Sequence, residues 1–149
     1  VQVLATDSST EAVKLLKSKF FSKKNIKVVE HDATKSLANL VDDIKVPCAF
    51  YARFFLHTLS NNGLRDFLGN LSIIMKSRDF LFIEYRNEND ALKPKVTGAH
   101  FRAFHGAETI TKLAEAYKLR IVYEVSGKGF AKWKHDDAEV TRQIFQHKE

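Results

Sequence analysis

Six ionisable side chains recur at equivalent places in the sequence. Asp7, Asp32, Arg53, His57, Glu84 and Arg86 each stand at or just past the end of a short apolar run. His57 is the candidate general base, because an imidazole titrates near neutral pH; packing or capping at the start of the following helix is the alternative. Arg53 could bind a carboxylate or phosphate through its planar fork; the alternative is a structural pair with Glu84 of a neighbouring strand. Glu84 and Arg86 end the fourth strand and could face a ligand. His100, Arg102 and His105 lie in a long polar segment and could grip an anionic substrate, or the segment is a solvated connection. A lone strand-end Asp serves as readily to cap the next helix. The histidines lack metal-ligand spacing, so no metal site is predicted.

The elements that must position these groups are legible from periodicity. VQVLATD (1–7), NIKVVEHD (25–32), VPCAFYARF (46–54) and RDFLFIEYR (78–86) read as strands. Between them lie helical patterns: one opens near Ser8–Thr10 and carries Ala12, Val13, Leu15, Leu16 and Phe20. A short one covers 36–44, and a long one over 60–76 has Ser60 as cap and Leu64, Phe67, Leu68, Leu71, Ile74 and Met75 as its stripe. The segment 87–104 is irregular, 106–119 is helical, and 120–133 with 138–148 alternate as an antiparallel hairpin interrupted by Gly127 and Gly129. Trp133 and Tyr123 are expected to pack in that hairpin. Strand–helix alternation closed by a hairpin predicts an α/β fold, mainly parallel with an antiparallel edge. Ligands in such folds bind outside the carboxyl ends of the strands, where the six ionisable groups lie.

The whole chain sets outer bounds. With 149 residues, 44% hydrophobic and 28% charged, it suits a single domain, 1–149, with a real core. Twelve Phe against two Pro argue against disorder. No apolar run is long enough to span a bilayer. One cysteine, Cys48, makes a cytoplasmic setting the default expectation and buried packing its expected role. The net charge of +6 admits an acidic partner, but the basic residues are scattered and no nucleic-acid-binding pattern occurs, so nucleic acid is not the expected partner.

Five stretches, in order, carry a resemblance: TDSS (6–9), HDAT (31–34), YARFFLHTL (51–59), FIEYRNENDALKPKVTGAHFRAF (82–104) and GKGFAKWKHDDAEVTRQIF (127–145). The chain resembles the class I S-adenosylmethionine-dependent methyltransferases, most of all a branch found near bacterial cell-surface polysaccharide enzymes. The resemblance implies a Rossmann-like sheet with S-adenosylmethionine as cofactor. It implies Asp7 on the ribose hydroxyls, Ser8 beside the adenine, Asp32 on the adenine amino group and Ala33 offering its backbone N–H. Tyr51 and its neighbours would lie under the methionine part, and Glu84, Arg86, His100 and Arg102 on the acceptor side. The acceptor would be small or glycan-linked and anionic.

The sequence also departs from that family. No glycine-rich loop follows an opening strand, which predicts that the N-terminal strand–loop–helix is missing. Val1 opens the chain inside an apolar stretch, which predicts the C-terminal part of a longer methyltransferase-like protein. The sheet would then be completed by an N-terminal segment or another chain. Three functions are in play: a methyltransferase, a non-catalytic methyltransferase-like scaffold, and, on charge alone, a nucleic-acid-binding domain.

Overall fold

In a computed structural model describing residues 1–41, 44, 46–94 and 101–148, the strands form a mixed, Rossmann-like α/β arrangement. The chain opens with β1 (Val3–Asp7), α1 (Thr10–Lys19) and β2 (Ile26–Glu30), and β1 and β2 pair in parallel from Val3↔Ile26 to Asp7↔Glu30. This corrects the expectation of a missing N-terminal strand–loop–helix: such a unit is present. Its turn is made by polar capping rather than by glycines. Asp7 Oδ1 accepts the Ser9 N–H at 2.8 Å, and Ser9 Oγ accepts the Ala12 N–H at 3.3 Å.

A short helix α2 (Ala38–Val41) leads to β3 (Ala49–Arg53), α3 (Asn61–Ile74) and β4 (Phe80–Arg86). After α4 (Ala107–Ala116), β5 (Leu119–Gly127), a ribbon of β6 (Lys132–Trp133) with β7 (Asp136–Asp137), and β8 (Val140–His147) finish the chain. The four-stranded sheet runs β3-β4-β8-β5; β3 and β4 are parallel, while β8 is antiparallel to both its neighbours. The sheet is therefore mixed, not mostly parallel, because β8 returns between β4 and β5 instead of lying outside them.

The core sits on one face of this sheet. Leu81, Ile83, Tyr85 and Phe145 meet Leu64, Phe67, Leu68 and Leu71 of α3 and Ile110 and Ala114 of α4, all buried. Ser60 caps α3 by accepting the Gly63 N–H at 3.1 Å. Asp79 ties the strand starts together: Oδ1 accepts from Cys48 N and Oδ2 from Lys76 N, at 2.7 and 2.8 Å. Trp133 and Tyr123, expected to pack, are instead 64% and 50% exposed. Among the described residues β1 pairs only with β2, and β3 only with β4.

Candidate functional site

A cleft of about 1370 Å³ runs between β1 and β3 and opens over the loops after β1, β2 and β3. The topology dictates its place: β1 and β3 share no ladder, so a trough lies between them, and the strand-end loops form its rim. Asp7, Ser8, Asp32, Ala33, Tyr51 and Arg53 all line it, so the folding chain gathers these sequence candidates in one place.

Each rim group has a local cause. The Asp7 carboxylate gives Oδ1 to the turn after β1, and its Oδ2 accepts from no described residue. Asp32 turns the chain in the same manner, with Oδ1 accepting the Thr34 N–H at 2.9 Å and the Thr34 hydroxyl at 2.7 Å. Those Thr34 bonds hold its carboxyl below the ordinary carboxylate range. The loop is anchored from behind, where Asn70 Nδ2 of α3 donates to the Thr34 carbonyl at 2.8 Å. The Ala33 N–H donates to no described residue. His31 was not a sequence candidate, yet it lines the cleft with Nε2 buried and without a hydrogen-bond partner among the described residues. Its place inside the HDAT stretch was the one clue available.

At the end of β3 the chain turns sharply at Phe54, whose φ of 52° is unusual for a non-glycine residue. Arg53 Nε donates to Glu84 Oε1 at 2.8 Å, and Arg142 Nε donates to Glu84 Oε2 at 2.5 Å. The Arg53–Glu84 pair is one of the two alternatives the sequence left open, and Arg142 is an addition the sequence did not supply. His57 is 5% exposed, packs edge-on against Phe54 with ring centroids 5.8 Å apart, and is not part of the cleft lining.

Arg86 is buried rather than turned to the cleft: Nη1 donates to Asp90 at 2.8 Å and Nη2 pairs with Asp136. Burial alone would lower its pKa, but those two carboxylates more than offset this and hold it above its ordinary value. The same cluster ties the irregular segment to the hairpin, since Asp90 Oδ1 also accepts the Glu139 N–H at 2.9 Å and Lys93 pairs with Glu139. Arg102 is half-buried and outside the cleft lining. His100 lies outside the described residues. His105 is 6% exposed, and burial lowers its pKa against the pull of the Leu59 and Leu56 carbonyls. Among the described residues, no group of three or more His, Cys, Asp or Glu is placed to hold a metal, and no helix is long and apolar enough to cross a membrane.

The acceptors and donors on this rim fit an adenosyl group. Among the described residues, Asp7 and Asp32 each keep one carboxylate oxygen without a donor, to accept from vicinal hydroxyls and an exocyclic amine, and the Ala33 N–H and His31 Nε2 lie beside them without partners.

No family model matches the sequence, and no curated protein does. Solved structures do match in fold. A SAM-dependent methyltransferase from Anabaena variabilis superposes with a TM-score of 0.76 at 15% identity, over 99% of this chain and 68% of that one. A SAM-dependent methyltransferase from Methanosarcina mazei gives 0.71 at 14% identity, over 98% of this chain and 82% of that one. An N-methyltransferase from Bradyrhizobium japonicum, in complex with S-adenosyl-L-homocysteine, gives 0.69 at 13% identity, over 99% and 67%. A pericyclic reaction enzyme matches with a TM-score of 0.65 at 12% identity, and the chain spans 36% of its length. The chain thus has a class I, SAM-dependent methyltransferase-like fold.

Proposed function

We propose that this chain is a S-adenosylmethionine-dependent methyltransferase domain acting on a small or glycan-linked anionic acceptor. One observation carries the reading: Asp7, Ser8, His31, Asp32 and Ala33 converge on one rim of a cleft whose other wall holds Tyr51 and Arg53. Asp7 takes the ribose hydroxyls, Asp32 the adenine amine, and Ala33 N–H a ring nitrogen. Tyr51, 71% exposed on the cleft wall, covers the methionine portion. When bound, the cofactor's sulfonium supplies the methyl group; the chain's own contribution is to align an acceptor with it and exclude water. Calorimetric titration of S-adenosylhomocysteine into the full chain tests the reading: one saturable site, weakened at least tenfold in D7N, supports it, and no saturable heat refutes it.

A partner strand is a second element of the proposal. In a parallel ladder alternate residues turn their backbone groups to opposite sides. The Val3 N–H bonds to the Asn25 carbonyl and the Phe54 N–H to the Glu84 carbonyl, which leaves Leu4 and Thr6 of β1 and Ala49 and Tyr51 of β3 directed away from their paired strands. A strand from another segment or chain would protect Leu4 and Thr6 from exchange if it lay along β1, Ala49 and Tyr51 if it lay along β3, and all four if it lay between the two edges. Rapid exchange at all four in the presence of such a partner would remove this element.

A further inference from the structure

We infer that Arg53, Glu84 and Arg142 form an oxyanion-binding site at the lip of the cleft, which holds a carboxylate or phosphate group of the acceptor. That the anion belongs to a methyl acceptor rests on the methyltransferase reading; the anion site itself does not. The three residues stand directly opposite one another on β3, β4 and β8, so they make one row across one face of the sheet. Glu84 is 5% exposed and spends both carboxylate oxygens on the two arginine Nε groups. Two guanidiniums against one carboxylate leave the row one positive charge in excess.

Both guanidiniums are held by the same device. Arg53 Cζ lies 4.9 Å from the centroid of the Phe54 ring, and Arg142 Cζ lies 5.0 Å from that of Phe130. Arg142 is further committed, since Nη2 donates to the Phe130 carbonyl at 2.8 Å. Arg53 is not: its Nη1 and Nη2 donate to no described residue, and its side chain is 48% exposed on the cleft wall. A guanidinium fixed through Nε and stacked on a ring presents its two Nη groups as a ready fork for two oxygens. The cost of ordering that long side chain is met in the folded protein, before any ligand arrives.

Phe54 supports this assignment independently. It holds a left-handed backbone conformation that non-glycine residues rarely adopt, and strain of this kind collects at ligand clamps. The conformation is maintained by the Phe54 N–H donating to the Glu84 carbonyl at 2.7 Å and by the ring packing on Ala131, Ala138 and Val140. Its result is an aromatic platform under Arg53.

The test is a titration of the full chain, followed through the arginine Nε–Hε resonances by NMR. Inorganic phosphate and, in a separate arm, acetate replace chloride at constant ionic strength. The Arg53 resonance is expected to shift saturably with at least one oxyanion, and the better of the two names the acceptor's group. R53Q is expected to weaken that binding at least tenfold. R53K, which keeps the charge but not the fork, should fall between R53Q and the parent. K112Q, which removes one exposed charge from α4 on the core side of the sheet, should leave it within twofold. No saturable shift with either oxyanion overturns the inference. So does R53Q binding as tightly as the parent, or K112Q losing as much as R53Q. Adding S-adenosylhomocysteine to the same samples separates the two claims. Cofactor binding without an oxyanion response removes this site alone, and an oxyanion response without cofactor binding removes the methyltransferase reading alone.

Discussion

Replacing Glu84 by Gln perturbs the row at its buried centre while conserving shape. The amide oxygen still accepts from one arginine Nε, but its NH₂ then faces the other Nε–H, donor against donor. In the parent that oxygen accepts at 2.8 Å from Arg53 or 2.5 Å from Arg142. A hydrogen bond to a charged group contributes about 1.5–3 kcal/mol, and breaking a fully buried ion pair costs about 3–5 kcal/mol. Both arginine side chains are more than two-fifths exposed, at 48% and 41%, so water rescues much of that cost. The net expectation is a destabilisation of about 2 kcal/mol. For a chain of 149 residues this corresponds to a fall of about 6 °C in Tm. Urea unfolding at pH 7, with E84Q, R142Q and the double variant, gives both the loss and the coupling energy. The double variant should lose less than the sum of the singles. A loss under about 0.5 kcal/mol, or strict additivity, would refute the idea that Glu84 organises the two arginines.

Three further outcomes follow from the same geometry. His105 is held neutral by burial, so its folded pKa lies below the ordinary 6.5. The unfolded chain then binds more protons in the window between the two values, and stability is full above pH 6.5 and falls as pH drops through the folded pKa. H105Q should flatten that acid limb in pH-dependent melts, and an unchanged slope would contradict it. H57N should lower stability by about 1–2 kcal/mol through the lost Phe54 contact while leaving S-adenosylhomocysteine affinity within twofold; a tenfold weaker affinity in calorimetry would instead bring His57 to the site. L68A, at a side chain with no exposed area, should cost about 3 kcal/mol in urea unfolding, and a loss under 1 kcal/mol would mean α3 is not the core's keystone.

Local periodicity made much of the fold legible. The α3 stripe and its Ser60 cap, and the apolar run of β4, are statements about neighbours in sequence, and they hold in the structure. The failures are nonlocal. Alternation in 138–148 says which side chains share a face but not which strands lie beside them, so the return of β8 between β4 and β5 stayed hidden. The absence of a glycine-rich loop predicts a missing N-terminal unit, whereas Asp7 and Ser9 make that turn by side-chain capping. The site divides along the same line. Asp7, Asp32 and Arg53 stand at strand ends, which periodicity locates, and all three line the cleft. Arg86 at an equivalent strand end is enclosed by Asp90 and Asp136, and only the folded chain brings Asp136 to it. Arg142 entered the row through a cross-strand register that no short pattern encodes.

The rim formed by Asp7, His31, Asp32 and Ala33 is the proposed site of an adenosyl cofactor. Its most direct test is calorimetry of S-adenosylhomocysteine against the full chain, with D7N and D32N alongside. One saturable site is expected in the parent, with at least a tenfold loss in each variant. Absence of saturable binding in the parent, or full affinity in both variants, would contradict it.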